Sequence, residues 1–334
     1  MGEFKNTKRK EIIRKQWCKP LIKFINEKLN YKLIYLGLPG PQALDLLEWI
    51  EHIDQVIAFQ CRDYPHPSST NQPREKVLEL EAKLRDFERE GKLTTFSLYD
   101  GYIEEVVLRG KDINGDEFSQ NDVVTIYNLD FCNGITFPLE VKDDEGNLQE
   151  YYKYDAIKRL LEVQRDLSSK IRSKKFVMFL TIHSGFWHEE AKNFIIQTES
   201  EPLRKYFLKI SSLRGSAKRI RLLKAYIFDT LKSYFCNYGF TPEFLPVIYY
   251  KGAGTDRNNW LLLFTIIGAE CKGVSKAPYF QNTKSLLKQK FLTVRNKYLD
   301  HYHQRDFNET ECLKDSVKAF CYLKCYRELW DGKK

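Results

Sequence analysis

The chain is poor in cysteine and has neither a long apolar run nor a repeat, and each lack narrows what it can be. Eight cysteines in 334 residues are too few and too scattered for a disulfide scaffold, and Cys18, Cys61, Cys132 and Cys236 fall inside apolar or helical patterns. That usage fits a reducing compartment. No stretch approaches the roughly 20 apolar residues that a membrane-spanning helix needs, and the opening MGEFKNTKRK is basic without the apolar core of a secretion signal. A cytoplasmic protein with no membrane partner is expected. Low-complexity tracts are missing, as are a Gly-x-Gly-x-x-Gly fingerprint and any Ser-His-Asp or Cys-His arrangement at a familiar spacing. Dinucleotide-dependent oxidoreduction and nucleophilic hydrolysis lose support on those grounds.

What is there is an ordinary globular composition, 43% apolar, 14% aromatic and 30% charged, in a chain long enough for one large domain or two moderate ones. The charge is segregated. Residues 1–32 carry a net +7, residues 203–232 a net +8 and residues 272–305 a net +7, which leaves −13 on the remainder of a chain whose total is +9. Basic surface concentrated on a few elements suits a polyanionic partner such as nucleic acid, although charge runs on helices also serve simply as solvated faces.

Hydrophobic periodicity divides the chain into alternating strands and helices. Residues 5–29 have the spacing of a helix with one buried stripe and a basic opposite side. Strands are expected over 33–40, 55–60, 93–101, 122–131 and 174–185. Helices are expected from Pro41, from Pro73 to Gly91, over 154–171 and over 218–238, with an Asn-Gly turn at Asn114 and a hairpin around 143–147. Two β-rich runs, 244–252 and 259–269, are separated by so few residues that they must pair antiparallel. The stretch 276–330 reads as basic and helical, with no strand signal. This order predicts an α/β fold: a Rossmann-like, mostly parallel open sheet with helices on both faces, a terminal antiparallel hairpin, and extra N- and C-terminal helices. The expected divisions are a basic helical extension (1–31), a Rossmann domain (32–270) and a basic C-terminal extension (271–334).

Over Lys32 to Gly268 this order resembles the class I S-adenosylmethionine-dependent methyltransferase fold. The resemblance implies S-adenosylmethionine as cofactor, bound by a glycine turn after the first strand, here Gly37 and Gly40, and by groups at the next strand ends, here Gln60 and Asp100. Tyr35 stands where the family often has an acid, and Gln60, with Asp63 beyond it, stands where the family has a ribose-binding acid. Asn128-Leu129-Asp130-Phe131 resembles the Asn/Asp-Pro-Pro-Tyr/Phe motif of amino-methyltransferases without its prolines. By that resemblance Asn128 and Phe131 would hold and stack on the target amine, and Asp130 would hold it or remove its proton. A protein that has kept the fold and lost the chemistry, serving as a binding module for nucleic acid or a protein partner, is the other reading.

Other candidates are weaker. His183 and His188 flank a Ser-Gly-Phe-Trp stretch suited either to stacking on a flipped base or to a packed loop. His301, His303, Cys312, Cys321 and Cys325 lack a zinc-knuckle spacing and read as structural, so no metal is expected. Arg14, Lys15, Lys218, Arg219, Arg221, Lys224, Lys284 and Lys288, with Lys290, are the expected phosphate contacts.

Overall fold

Five short apolar runs become the parallel centre of one sheet, and they are buried because helices cover both of its faces. The computed structural model describes residues 7–62, 74–131, 134–142, 146–167, 172–184, 200–252, 260–271, 283–289, 291–295, 298–302 and 310–312. Asp63, His188, Lys290, His303, Cys321 and Cys325 lie outside the described residues. The strands are β1 (Leu33–Gly37), β2 (Ile53–Gln60), β3 (Thr95–Asp100), β4 (Ile126–Asp130) and, beyond a hairpin of β5 (Leu139–Lys142) and β6 (Leu148–Tyr151), β7 (Phe176–His183). They lie side by side as β3-β2-β1-β4-β7, all parallel.

The sheet is completed by an antiparallel group. After β8 (Phe240–Phe244) and β9 (Ile248–Lys251), the long β10 (Trp260–Glu270) inserts against β7 and pairs with β7, β8 and β9. This is the Rossmann-like, mostly parallel sheet with a terminal antiparallel hairpin that the order of elements predicts. Strand order reverses between β1 and β4, so the ligand crevice expected of such a sheet lies at their carboxyl ends.

One face carries α1 (Lys8–Ile13), a π-helical turn (Arg14–Cys18), α2 (Lys19–Leu29), α3 (Leu44–Trp49) and α4 (Glu75–Arg89). The other carries α5 (Ile103–Arg109), α6 (Lys153–Asp166), α7 (Glu201–Ile210) and α8 (Gly215–Asn237). The buried stripe read from the N-terminal sequence is real: Ile12, Trp17, Leu21, Ile22 and Ile25 share a cluster with Leu33 and Tyr35 of β1. Helix α3 begins three residues later than Pro41, because Ala43 is left-handed (φ 48°) and closes a turn on the Gly40 carbonyl.

The larger correction is C-terminal. After α9 (Thr283–Lys288), β11 (Phe291–Arg295) adds parallel to β9, and β12 (Tyr298–Tyr302) and β13 (Thr310–Cys312) extend the sheet antiparallel. The Phe-Leu-Thr-Val run is short and set among basic residues, so its local pattern is ambiguous. The free edge of β9 decides it.

Candidate active site

The glycine turn answers first to the sheet itself. A Cβ on Gly37 would stand 2.2 Å from the Asn128 carbonyl oxygen, and the next amide, Leu38 N–H, donates to that same oxygen at 2.9 Å. Gly37 is therefore set by the close approach of β1 to β4, and Gly40 (φ 70°) by the turn before α3. Tyr35 is fully buried, and burial pushes its phenol well above the ordinary value.

At the end of β4 both polar side chains already have partners. Asn128 Nδ2 donates to Tyr35 Oη (3.1 Å) and to Asp45 Oδ2 (2.8 Å), while the other Asp45 oxygen takes the Arg14 guanidinium of the π-helical turn. Asp130 Oδ2 meets the ammonium of Lys10 at 2.6 Å. Burial works to lower the Lys10 pKa, but Asp130, Tyr250 and Asp45 override it and hold the amine above its ordinary value, as a cation. Phe131 is buried, with Lys153 Nζ 5.8 Å from its ring centre, and Lys153 is itself paired with Glu104 at 3.1 Å. Between the N-terminal helix and the sheet lies a cavity of about 40 Å³ bordered by Lys10, Arg14, Cys18, Asp45, Asn128 and Asp130. That is room for a few waters.

The ends of β2 and β3 form a second polar centre. The Gln60 side chain is buried and its amide donates to the Cys61 carbonyl at 2.8 Å, while the Gln60 backbone carbonyl accepts from Gly101 N–H at 3.1 Å. One oxygen of Asp100, Oδ2, receives Arg62 (Nε at 2.9 Å, a terminal nitrogen at 2.8 Å), Arg74 Nε (3.1 Å) and Asn114 Nδ2 (3.4 Å). The other, Oδ1, is buried with no hydrogen-bond partner among the described residues. An unmatched buried carboxylate oxygen is costly, which makes it the most informative atom of this edge.

The expected basic surface is only partly a surface. Arg14, Arg221 and Lys224 are buried, and these three are withdrawn as phosphate contacts: Arg14 pairs with Asp45, and Lys224 donates to the Gln289 carbonyl at 2.6 Å. Lys15 is exposed beside Glu11 (3.0 Å), Lys218 and Arg219 are half-buried, and Lys284 and Lys288 are exposed on α9. Arg204, Lys205, Lys209 and Arg214 are exposed on and after α7, which packs with α8 and α9. Charge counting includes them without giving them a face. Lys10, Asp45, Arg62 and Arg74 have no local signature, since each acquires its role from a partner far along the chain. His183 is half-buried at the end of β7. Among the described residues no group of three or more His, Cys, Asp or Glu side chains is placed to hold a metal ion, and no helix is long and apolar enough to cross a membrane.

A family model described as PP_RS20740-like matches residues 7–194, more than half of the chain. No curated protein matches it. Among solved structures, a Streptococcus thermophilus protein provisionally named a hemolysin is 9% identical, with 94% of this chain and 75% of that one covered, at a TM-score of 0.40. The precorrin-6y C5,15-methyltransferase of Geobacter metallireducens is 10% identical (74% and 87% covered, TM-score 0.31), as is an rRNA methylase of Streptococcus thermophilus (75% and 95%, TM-score 0.31). At such identities and scores these likenesses speak to neither substrate nor reaction.

Proposed function

The chain belongs to the PP_RS20740-like family, and we propose that it is an S-adenosylmethionine-dependent methyltransferase acting on an exocyclic amine of nucleic acid. The observation that carries this reading is the orphaned Asp100 Oδ1 at the end of β3. A buried acceptor left unmatched there fits the adenine amine of the cofactor, so the residues present suit the group in kind. Asp100 and the Gly37–Gly40 turn would hold it, and Gln60 could accept one ribose hydroxyl. When bound, S-adenosylmethionine supplies a methyl group made electrophilic by its sulfonium.

The remaining work falls to the chain. Asn128 and Asp130, two residues apart on one face of β4, would orient the acceptor amine, and Asp130 would take up the proton that the amine loses. The exposed cations on and around α7 and α9 would hold phosphates, a role that positions nucleic acid without reading its sequence. Residues 32–270 are proposed as the catalytic unit, flanked by the N-terminal helices and the C-terminal segment.

The second reading, a binding module on the same fold, is favoured by a specific observation. Each strand-end carboxylate is neutralised by a cation of the chain itself, and the cavity beside Asn128 and Asp130 holds only a few waters. Calorimetric titration with S-adenosylmethionine and S-adenosylhomocysteine separates the two. The transferase reading expects saturable binding that is lost in Asp100→Asn with the fold intact, and no heat from either ligand, in the wild type and in a variant with the crevice opened, favours the module. Affinity for an oligonucleotide should fall as salt rises; a flat salt dependence removes nucleic acid as the partner.

A further inference from the structure

Lys10 and Arg14 lie one helical turn apart, and both face carboxylates of the crevice: Lys10 on Asp130 at 2.6 Å, Arg14 on Asp45, which in turn holds Asn128 at 2.8 Å. The two side chains assigned to the acceptor amine are thus tied, directly or through Asp45, to the N-terminal helix. We propose that α1 is a latch: Lys10 occupies the acceptor position on Asp130, and α1 must swing away before any substrate reaches the end of β4. The latch rests on the transferase reading only for what enters once it opens.

The local backbone supplies a hinge. Immediately after α1 the helix widens into the π-helical turn, where Arg14 O accepts from both Lys19 N–H and, at 3.4 Å, Trp49 Nε1. Turns of this kind are rare within α-helices and occur frequently at functional sites. From Trp17 onward the chain is pinned, since Trp17 Nε1 donates to the buried Thr265 hydroxyl at 2.8 Å and α2 buries Leu21, Ile22, Phe24 and Ile25. Before the π-helical turn only Ile12 and Ile13 are buried. Motion of α1 about Arg14, where that turn begins, leaves the anchored part in place.

Lys10 is an occupant rather than an acceptor. It is held as a cation, with no lone pair for a methyl group, so its amine blocks the position without being consumed. Cys18, a buried thiol bordering the same cavity, reports the opening without any cofactor.

The test is hydrogen–deuterium exchange and Cys18 alkylation, read peptide by peptide on the full chain, in the wild type, Lys10→Ala, Lys10→Arg and Asp130→Asn. Loss of one charged hydrogen bond should speed exchange over residues 8–14 and alkylation of Cys18 by about 10- to 100-fold in Lys10→Ala and Asp130→Asn. Amides of β4 and β7 should keep wild-type protection, and Lys10→Arg should stay closed. Unchanged exchange over residues 8–14, or an equal rise in β4 and β7, overturns the latch. Titration of Lys10→Ala with S-adenosylmethionine separates the two claims. Opening without binding leaves the latch and removes the transferase; equal binding to wild type and Lys10→Ala, with α1 exchange unchanged, leaves the transferase and removes the latch.

Discussion

Lys224 offers a test of how the basic segments are divided between surface and core. It is fully buried in α8, its Nζ donates to the Gln289 carbonyl at 2.6 Å, and the rings of Phe291 and Phe228 lie 4.9 and 5.4 Å away. Burial, helped by the like charge of Arg221, lowers its pKa from 10.5 to about 7. The unfolded chain therefore keeps this lysine protonated over a range in which the native chain releases the proton. Where the unfolded state binds more protons, stability rises with pH. The penalty is fully present below about pH 7, is still about 4 kcal/mol at pH 7, and loses about 2 kcal/mol of that by pH 9. Urea denaturation at several pH values, comparing wild type with Lys224→Met, isolates the effect. Acids whose pKa partial burial raises, such as Cys61, whose thiol is pushed up to about 11, tilt stability the opposite way above about pH 8.5, but they do so in both proteins and cancel in the difference. The wild type should gain about 2 kcal/mol relative to Lys224→Met between pH 7 and 9. Parallel curves would mean that the amine keeps its charge through solvent access, and the burial argument would fail.

Three substitutions test the carboxyl edge and its supports. Gly37→Ala should cost about 3 kcal/mol, since its methyl meets the Asn128 backbone, whereas Gly91→Ala, left-handed (φ 69°) but in open space, should cost about 1 kcal/mol; urea midpoints at unchanged slope give both. Arg62→Ala breaks the buried pair with Asp100 and leaves Arg74 as its counter-charge, with Asn114 at 3.4 Å, so a loss of about 3 kcal/mol is expected by thermal melting. A loss below about 1 kcal/mol would mean that Asp100 is not held by Arg62. Trp17→Phe, which strands the buried Thr265 hydroxyl, should destabilise by about 1 kcal/mol while leaving exchange over residues 8–13 unchanged, because that anchor lies C-terminal to the pivot at Arg14.

The strands of the parallel centre were legible because each is a short apolar run ended by turn residues, and β9 and β10 because six residues of linker permit only antiparallel pairing. The C-terminal strands were not, since β11 is made by the edge it joins. At the site, local pattern found residues whose placement depends on chain order: Gly37, Asp100, Asn128 and Asp130 all fall on the carboxyl edge. It could not find their partners. Lys10 and Asp130 are 120 residues apart, and Arg62 and Asp100 are 38 apart. Neither distance leaves a mark on local periodicity. For the same reason Arg14 and Lys224 read as part of a basic face: periodicity reports which way a side chain points only when the neighbouring element is known, and both point into the protein.

These buried ion pairs also set how a ligand would behave at this edge. Opening α1 exposes Ile12 and Ile13, at about 1.5–3 kcal/mol each, and separates the Lys10–Asp130 pair, at about 1.5–3 kcal/mol as a charged hydrogen bond. Together they make the open state a small minority, near one molecule in a thousand or fewer. Apparent affinity for any ligand that needs the open crevice is weakened by that same fraction, however well Asp100, Asn128 and Asp130 are arranged. A wild-type titration alone therefore cannot separate a shut transferase from a module that never binds cofactor. Removing the Lys10 contact restores its 1.5–3 kcal/mol, so a competent crevice should gain about 10- to 100-fold in affinity for S-adenosylmethionine in Lys10→Ala. If α1 loosens in that variant while affinity does not move, the crevice under the helix is not the cofactor's path, and the orphaned oxygen of Asp100 is a burden of packing rather than a receptor for adenine.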